Sequence, residues 1–342
     1  MNLLPTEEQQ QIVDMVRGFL AGNAPLERLR PDKFGQIGNP DAALWPKMAE
    51  LGILGLGVPE DGGGLGLSAV EETLTYIEFG RALVSIGVLG ATLGAHLAAR
   101  DAPDVAAAIM GGSTAVGLAT PRGAVEHSDG RFSGEFHLIE ADEAEFVLLL
   151  TSEAIALFRN EDFTDRSARL SMDSHMRLMR ARLDDGKALG WSSVTEGVDH
   201  ARANLLIAAY ATGLAEAALA GAVDYAKVRE QFGKPIGSFQ AIKHKCADMA
   251  IAAEVASCQV SFASVILAKD SEESRFHALA ARIVAVDAAL KNGATGIQVH
   301  GAIGFTAEVE AHLFVKRAHL IDFIGGDQRV QKAQFIGADA VM

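Results

Sequence analysis

One twelve-residue stretch, residues 229–240, combines residue types that could hold a phosphate and an aromatic ring. It reads Arg-Glu-Gln-Phe-Gly-Lys-Pro-Ile-Gly-Ser-Phe-Gln. An arginine can offer a fixed cation to a phosphate, while a nearby phenylalanine offers a flat apolar face to a ring. Glycine lets the backbone come close to a ligand, and proline fixes the local turn. The alternative is an ordinary link between two helices; the candidate binding residues are Arg229, Gln231, Phe232, Phe239 and Gln240.

The composition is that of an ordinary globular chain. Of the 342 residues, 49% are apolar and 22% are charged, and this length suffices for two or three domains. The formal net charge of −14 argues against nonspecific binding of nucleic acid or of an anionic membrane. The histidines show no paired ligand spacing, so we predict no metal site. No Ser–His–Asp context indicates a hydrolase.

Cysteine usage and the start of the chain predict a cytoplasmic protein. Cys246 and Cys258 fall in one predicted helix, where twelve residues separate them by roughly 18 Å, too far for a disulfide. We expect both to be small core residues in a reducing compartment. Residues 1–11 lack the basic end and apolar run of a signal peptide. No run of eighteen uninterrupted apolar residues predicts a membrane span.

The first part of the chain is predicted to be helical. Thr6 is a plausible N-cap, followed by two acids in the first turn. The glycine-rich connector at 52–66 lacks the context of a dinucleotide or phosphate loop. Helices are predicted at 3–22, 43–51, 68–82, 88–100 and 104–110.

The rest of the chain divides into a β-rich part and a second helical part. Short apolar or alternating runs between turns predict antiparallel strands near 116–119, 131–139 and 145–151. Long alanine-rich helices, predicted at 201–230, 239–268, 272–299 and 307–321, must be buried on several sides in a bundle or a subunit interface. We therefore expect an α+β fold with an N-terminal helical domain, a small antiparallel β-domain and a C-terminal four-helix bundle. Their predicted bounds are 1–112, 113–197 and 198–342.

Four stretches, in this order, resemble signatures of the acyl-CoA dehydrogenase family. They are residues 45–66, 78–81, 228–240 and 298–305. The first contains Trp45 and the run Pro-Glu-Asp-Gly-Gly-Gly-Leu-Gly, and the second reads Glu-Phe-Gly-Arg. The third matches an Arg…Phe-Gly…Gln pattern, and the last reads Gln-Val-His-Gly-Ala-Ile-Gly-Phe. The resemblance covers essentially the whole chain.

The resemblance implies FAD as the cofactor and an acyl-CoA thioester as the substrate. In this family a glutamate removes the α-proton, the β-hydrogen leaves as hydride to the flavin, and neighbouring subunits share each FAD. Electron-transfer flavoprotein or a similar protein is the implied acceptor. By position, Arg229 would contact the pyrophosphate and Gln231 and Phe232 would flank the cofactor. Phe239 and Gln240 would lie near its adenine end.

A second group carried over by the resemblance lies at 298–301. Gln298 and Gly301 would line the opposite side of the same cofactor end. A diphosphate is well served by a fixed guanidinium and close backbone N–H groups. The alternative for Gly301 is a glycine that simply ends a helix.

The chain departs from the family at both positions known for the catalytic glutamate. In the C-terminal loop, Gly325 stands where most members carry it, and the minority position on the earlier helix corresponds to Ala203 and Asn204. Since proton abstraction needs a base within hydrogen-bond reach, we predict no catalytic residue in this chain. The flavin-holding motifs of the β-domain are also missing from their corresponding residues, 119–124 and 135–139.

These departures predict a subunit that needs a partner. We expect it to resemble the less complete chain of the α2β2 members that act on steroid side-chain CoA thioesters, with a homologous catalytic subunit supplying the base. Two alternatives stay open: a flavin-free scaffold on the same fold, and a stand-alone dehydrogenase with a relocated base. Asp327 is the candidate for that base, although a turn-forming acid is the simpler interpretation.

Overall fold

The computed structural model describes residues 3–30, 41, 43–195 and 198–338, and its first part is helical as predicted. Thr6 caps the first helix: its hydroxyl accepts the Gln9 backbone N–H at 3.2 Å, and the Gln9 side chain accepts the Thr6 N–H at 3.0 Å. This reciprocal capping box fixes where the helix begins. The helices are α1 (Glu7–Asn23), α2 (Leu44–Glu50), α3 (Ala69–Arg81), α4 (Gly87–Asp101) and α5 (Pro103–Met110).

The middle part is an eight-stranded sheet in which the strands pair in the order β6–β7–β3–β1–β4–β5–β8, with β2 on β3. Its neighbours are antiparallel except β1 and β4, which run parallel. The expected antiparallel domain is therefore a mixed sheet, because β3 pairs with one edge of β1 and β4 with the other. The strands are β1 (Val116–Pro121), β2 (Glu126–Ser128), β3 (Arg131–Ile139), β4 (Phe146–Leu150), β5 (Ala154–Arg159), β6 (Phe163–Arg169), β7 (Leu178–Lys187) and β8 (Gly190–Ser193).

The last part is a helical bundle that contains the four predicted long helices. Asn292 of α8 donates to Ala215 O of α6 at 3.0 Å and to Met249 O of α7 at 2.9 Å, so one buried amide ties three helices together. A fifth helix was not predicted. The helices are α6 (Asp199–Val228), α7 (Gln240–Leu267), α8 (Ser274–His300), α9 (Ala311–Asp322) and α10 (Gln328–Ile336). The predicted domain bounds remain predictions.

Two glycines let the first and last parts of the chain approach closely. An added Cβ on Gly80 of α3 would lie 2.0 Å from Tyr210 O, and one on Gly213 of α6 would lie 2.0 Å from Ile77 O. These positions cannot carry any side chain without separating α3 from α6.

The prediction that both cysteines lie in the core was wrong. Cys246 is partly exposed and Cys258 is exposed on α7, and both are free. By length and composition alone, α6 and α7 could each cross a membrane; 67% of the most apolar window of α6 is buried in the protein, against 39% for α7. The apolar character of α6 thus follows from its central place in the bundle.

A buried ion pair joins all three parts of the fold. Arg317 of α9 and Asp173, between β6 and β7, meet at 2.5 Å, and both side chains are almost fully buried. Arg317 also donates to Val84 O at 2.9 Å and to the Tyr210 hydroxyl at 2.5 Å. Burial alone raises the pKa of Asp173, but the Arg317 guanidinium and bonds from His175 hold it well below its usual range.

Replacing one member of this ion pair should lower the free energy of unfolding more than replacing both members. Asp173→Leu leaves a buried, uncompensated guanidinium, so we expect it to lower the free energy of unfolding by about 3–5 kcal/mol. The double variant Asp173→Leu/Arg317→Met removes both charges and should recover part of that loss. Urea titration followed by circular dichroism measures both. A double variant at least as unstable as the single one would contradict this account.

Candidate functional site

The segment 229–240 forms a small hairpin that projects beyond the end of α6. Strands β9 (Glu230–Gln231) and β10 (Lys234–Pro235) are joined by Phe232 and Gly233 alone, with φ values of +54° and +78°. Two consecutive positive φ values match the tight hairpin turn whose twist suits the flanking strands. A phenylalanine at such a position is strained. In this strained conformation the Phe232 ring is exposed to solvent.

The hairpin leaves a cation and an aromatic ring uncommitted. Phe232 is 92% exposed. Within the described residues, no side chain pairs with the exposed guanidinium of Arg229. Phe239 lies edge-on to Phe232 at 6.1 Å between ring centroids, and the Lys234 ammonium lies 4.5 Å from the centre of the Phe239 ring. Such a surface suits a ligand with both phosphate and ring groups, or a partner chain.

The structure brings the second predicted group close to the first. Tyr225, one turn before Arg229, stacks on His300 with 4.4 Å between ring centroids. Gln298, two residues earlier on α8, is exposed. Gly301 ends α8 at φ +69°, ψ −144°, with its N–H donating to Ile297 O. Only glycine takes this conformation readily, so the helix-end interpretation of Gly301 is correct whether or not it also meets a ligand.

The two positions known for the family's base lie on either side of a buried arginine. Arg282 of α8 is 2% exposed. Its guanidinium donates to Asn204 Oδ1 at 2.8 Å, to Gly326 O at 3.0 Å and to Ile324 O. Burial lowers its pKa to about 10. Sequence reasoning missed this residue; the signal was an arginine in an otherwise alanine-rich helix.

The backbone of the loop at 323–326 is held by side chains from three elements. Thr120 Oγ1 of β1 donates to Phe323 O at 3.0 Å, and Gln331 Nε2 of α10 donates to Gly325 O at 3.0 Å. With the two carbonyls held by Arg282, four consecutive carbonyl oxygens accept side-chain hydrogen bonds. The loop is thereby fixed in one arrangement.

A side chain at Gly325 would displace Leu150 and would need a strained backbone. This residue has φ +69°, and an added Cβ would lie 2.7 Å from both Cγ and Cδ2 of Leu150. Asp327, the candidate relocated base, instead caps α10, since its Oδ1 accepts the Val330 N–H at 3.0 Å. The turn-forming interpretation of Asp327 thus agrees with its geometry.

The face of the sheet near residues 119–124 and 135–139 carries ion pairs. Glu135 accepts from Arg122 at 3.0 Å and from Arg180 at 2.6 Å. Thr120 is already committed to the loop at 323–326. This surface therefore offers paired charges rather than free hydrogen-bond donors to a ring.

Two stretches of the sequence match models of known protein domains. A sequence model of the acyl-CoA dehydrogenase N-terminal domain matches residues 6–101, and one of the acyl-CoA dehydrogenase C-terminal domain matches residues 188–338. Together with the three-part fold, these matches show that the chain belongs to the acyl-CoA dehydrogenase family.

Two acyl-CoA dehydrogenases of Mycobacterium tuberculosis are similar to this chain in sequence. Acyl-CoA dehydrogenase FadE34 of Mycobacterium tuberculosis is 35% identical over 95% of this chain, which spans only 47% of FadE34. Acyl-CoA dehydrogenase IpdE2 of the same organism is 32% identical over 93% of this chain and 92% of IpdE2.

At 22–23% identity, the structures support the fold alone. The ChsE4–ChsE5 complex from Mycobacterium tuberculosis has a TM-score of 0.83 at 23% identity and 98% coverage of both chains. The Tcur3481–Tcur3483 steroid ACAD G363A variant has a TM-score of 0.84 at 22% identity and 97% coverage of both.

Members of this family depend on FAD, and the residues present fit only one end of that cofactor. Arg229, which has no side-chain partner among the described residues, the exposed Phe232 ring and the open backbone at Gly301 suit a diphosphate and an adenine. At the other end, Leu150 fills the space beside Gly325 and the sheet face carries ion pairs.

Stability should fall in mild acid because of His200. Its Nε2–H donates to Thr151 O at 2.9 Å and its Nδ1 accepts from the Asn204 amide at 3.1 Å, so the ring is neutral. Burial, with Arg282 and Arg275 nearby, lowers its pKa to about 4. Between about pH 6.5 and 4 the unfolded chain binds the proton more strongly, so stability drops as pH falls, by on the order of 3 kcal/mol.

Protonation of carboxylates also lowers stability in acid, and the variant His200→Gln separates the contribution of His200 from theirs. Glutamine keeps a hydrogen-bond donor for the Thr151 carbonyl. Urea titrations at pH 7 and pH 4.5 should show a smaller pH-dependent loss for the variant than for the native protein. Equal losses would show that His200 does not titrate in this window.

Proposed function

We propose that this chain is the cofactor-completing subunit of a heteromeric FAD-dependent acyl-CoA dehydrogenase. The observation that carries the proposal is the contrast between the two halves of the site. Among the described residues Arg229 has no side-chain partner and Phe232 is 92% exposed, whereas Leu150 packs against Gly325 where a side chain would begin. One half is available to another molecule, and the other half is closed.

The exposed half supports a role in holding the diphosphate and adenine of FAD. Arg229 would pair with the pyrophosphate, with Gln231, Phe232, Phe239 and Gln240 beside the nucleotide. Gln298 and Gly301 would lie across from them. When bound, FAD supplies the acceptor for the hydride that leaves the β-carbon. This chain's residues would hold the cofactor and leave proton removal to another subunit.

The closed half supports a partner that supplies the base. Neither Gly325 nor Asn204 can accept an α-proton, and Asn204 is engaged by Arg282 at 2.8 Å. The similar ChsE4–ChsE5 structure is a complex, and the similar Tcur3481–Tcur3483 structure is of a steroid ACAD. We propose a homologous catalytic subunit, an α2β2 assembly and a steroid side-chain or other bulky acyl-CoA as substrate.

Electron-transfer flavoprotein or a similar acceptor would take the electrons, and the complex would act in the cytoplasm. We also propose the domain bounds 1–112, 113–197 and 198–342.

One alternative retains support. A flavin-free scaffold on the same fold would equally explain the locked loop at 323–326. Arg229, without a partner among the described residues, and the strained, exposed Phe232 favour the cofactor-completing role. A scaffold would not need an available cation beside an exposed ring. The stand-alone dehydrogenase is disfavoured by the use of Asp327 as a helix cap.

Arg229→Gln should weaken FAD binding in the complex of this chain with its catalytic partner. A charge-assisted hydrogen bond contributes roughly 1.5–3 kcal/mol, so we expect about ten- to hundredfold weaker FAD affinity with intact subunit assembly. Arg169→Gln is the matched control, since Arg169 is also exposed but lies on β6. FAD titration of the two purified complexes measures the difference. Unchanged affinity in Arg229→Gln would remove the main support for the proposal.

Restoring the family's glutamate should not make this chain an enzyme by itself. Gly325→Glu forces a side chain against Leu150 at positive φ, so we expect a loss of about 1–3 kcal/mol in stability. Gly325→Glu/Leu150→Ala provides space for the new carboxylate. Neither variant, purified alone, should reduce a flavin-coupled dye with acyl-CoA. Turnover by the double variant alone would show that the chain holds a complete site.

A further inference from the structure

We propose that a cavity between α6, α8 and α9 binds a small, uncharged and mainly apolar molecule that carries one hydroxyl or N–H donor. The cavity has a volume of about 610 Å³, and Arg81 of α3 is among the residues that line it. Its apolar walls include Ala218, Gly221, Gly296 and Phe314. Pockets of 300–1,000 Å³ with apolar walls and a few polar groups are typical of small-molecule sites.

The glycines of this cavity leave space that the fold does not use. At Gly80 and Gly213, glycine is required because α3 and α6 touch. An added Cβ on Gly221 would meet no atom within 4 Å, and one on Gly296 would meet only Ala218 O at 3.6 Å. Gly221 also has a helical rather than a positive φ. Neither close packing nor backbone conformation requires glycine at position 221. Because this residue has no side chain, the volume beside it stays open.

One wall of the cavity offers a hydrogen-bond acceptor. Glu216 receives Arg81 Nε at 2.9 Å and Nη2 at 2.6 Å, both on Oε2. Within the described part of the chain, its Oε1 has no hydrogen-bond partner. Arg81 is engaged further by Glu78, which also binds Arg17 at 2.9 Å. Glu216 therefore places a carboxylate oxygen without a hydrogen-bond donor in the lining of the cavity, while the charge of Arg81 is already balanced by Glu216 and Glu78.

These charges select the ligand class. A second carboxylate, Glu310, also lines the cavity and is paired with Arg30 at 2.7 Å. Since Arg81 and Arg30 are both already engaged by acids, neither is free to pair with an anionic ligand. A donor O–H or N–H can bind the free oxygen of Glu216, and an apolar ring or chain can cover the alanine and glycine walls.

The cavity adjoins the proposed cofactor surface at His300, which lines the cavity and precedes Gly301, but Gln298 lies on another face of α8. Gln298 lies two residues from both Gly296 and His300, which is about 200° around a helix of 3.6 residues per turn. Gln298 is exposed, while Gly296 is buried and faces Ala218. The proposal thus concerns a site on the opposite face of α8 and does not rest on the proposed function.

Fluorescence titration with N-phenyl-1-naphthylamine tests the proposal on the full chain. This probe is neutral and apolar and carries one N–H donor, and its emission rises in an apolar environment. We expect saturable binding to one site per chain. The sulfonated analogue 8-anilinonaphthalene-1-sulfonate has the same rings plus a negative charge and should bind at least tenfold more weakly. No saturable binding of the neutral probe, or tighter binding of the sulfonate, would overturn the proposal.

Gly221→Leu fills the mouth of the cavity and should weaken binding of the neutral probe at least tenfold. The variant should fold, since leucine favours a helix more than glycine does and the new side chain meets open space. Gly18→Leu in α1 is the matched control, because an added Cβ there also meets nothing within 4 Å. Its binding should equal that of the native protein. Equal weakening in both variants, or in neither, would show that the probe binds elsewhere.

Discussion

The ion pair between Arg317 and Asp173 is the interaction on which the arrangement of the three parts depends. It is almost fully buried, and its arginine also reaches the α3–α4 connection and Tyr210 of α6. His175, two residues from Asp173, reaches Leu29 O at 2.6 Å. A charge pair in such a place has few alternative partners, so it fixes how sheet and helices meet.

The long helices could be predicted because their apolar residues recur at helical spacing and their glycines and prolines mark the ends. The helix α10 and the strand β6 could not, because each is mostly polar and exposed and lacks an apolar period. They exist because they pack on, or pair with, elements already formed. The parallel β1–β4 pair was missed for a similar reason: strand direction depends on a crossover, which a local pattern does not record.

The candidate site divides in the same way. Arg229, Phe232 and Gly301 stand in short, contiguous motifs, so the sequence alone could propose them as candidate cofactor residues. Arg282 could not be identified, because its partners Asn204 and Ile324 lie 78 and 42 residues away. The sequence predicted that Gly325 replaces a catalytic glutamate, whereas the contacts of this position with Leu150 and Arg282 required the structure. The two findings support one account, in which this chain completes a site that another chain begins.

Flavin stoichiometry tests that account most directly. The chain would be purified alone and in complex with its homologous catalytic subunit, and FAD absorbance would be compared with subunit content. The account predicts about one FAD per pair of unlike subunits and almost none on the chain alone. A homo-oligomer of this chain with about one FAD per subunit would contradict it.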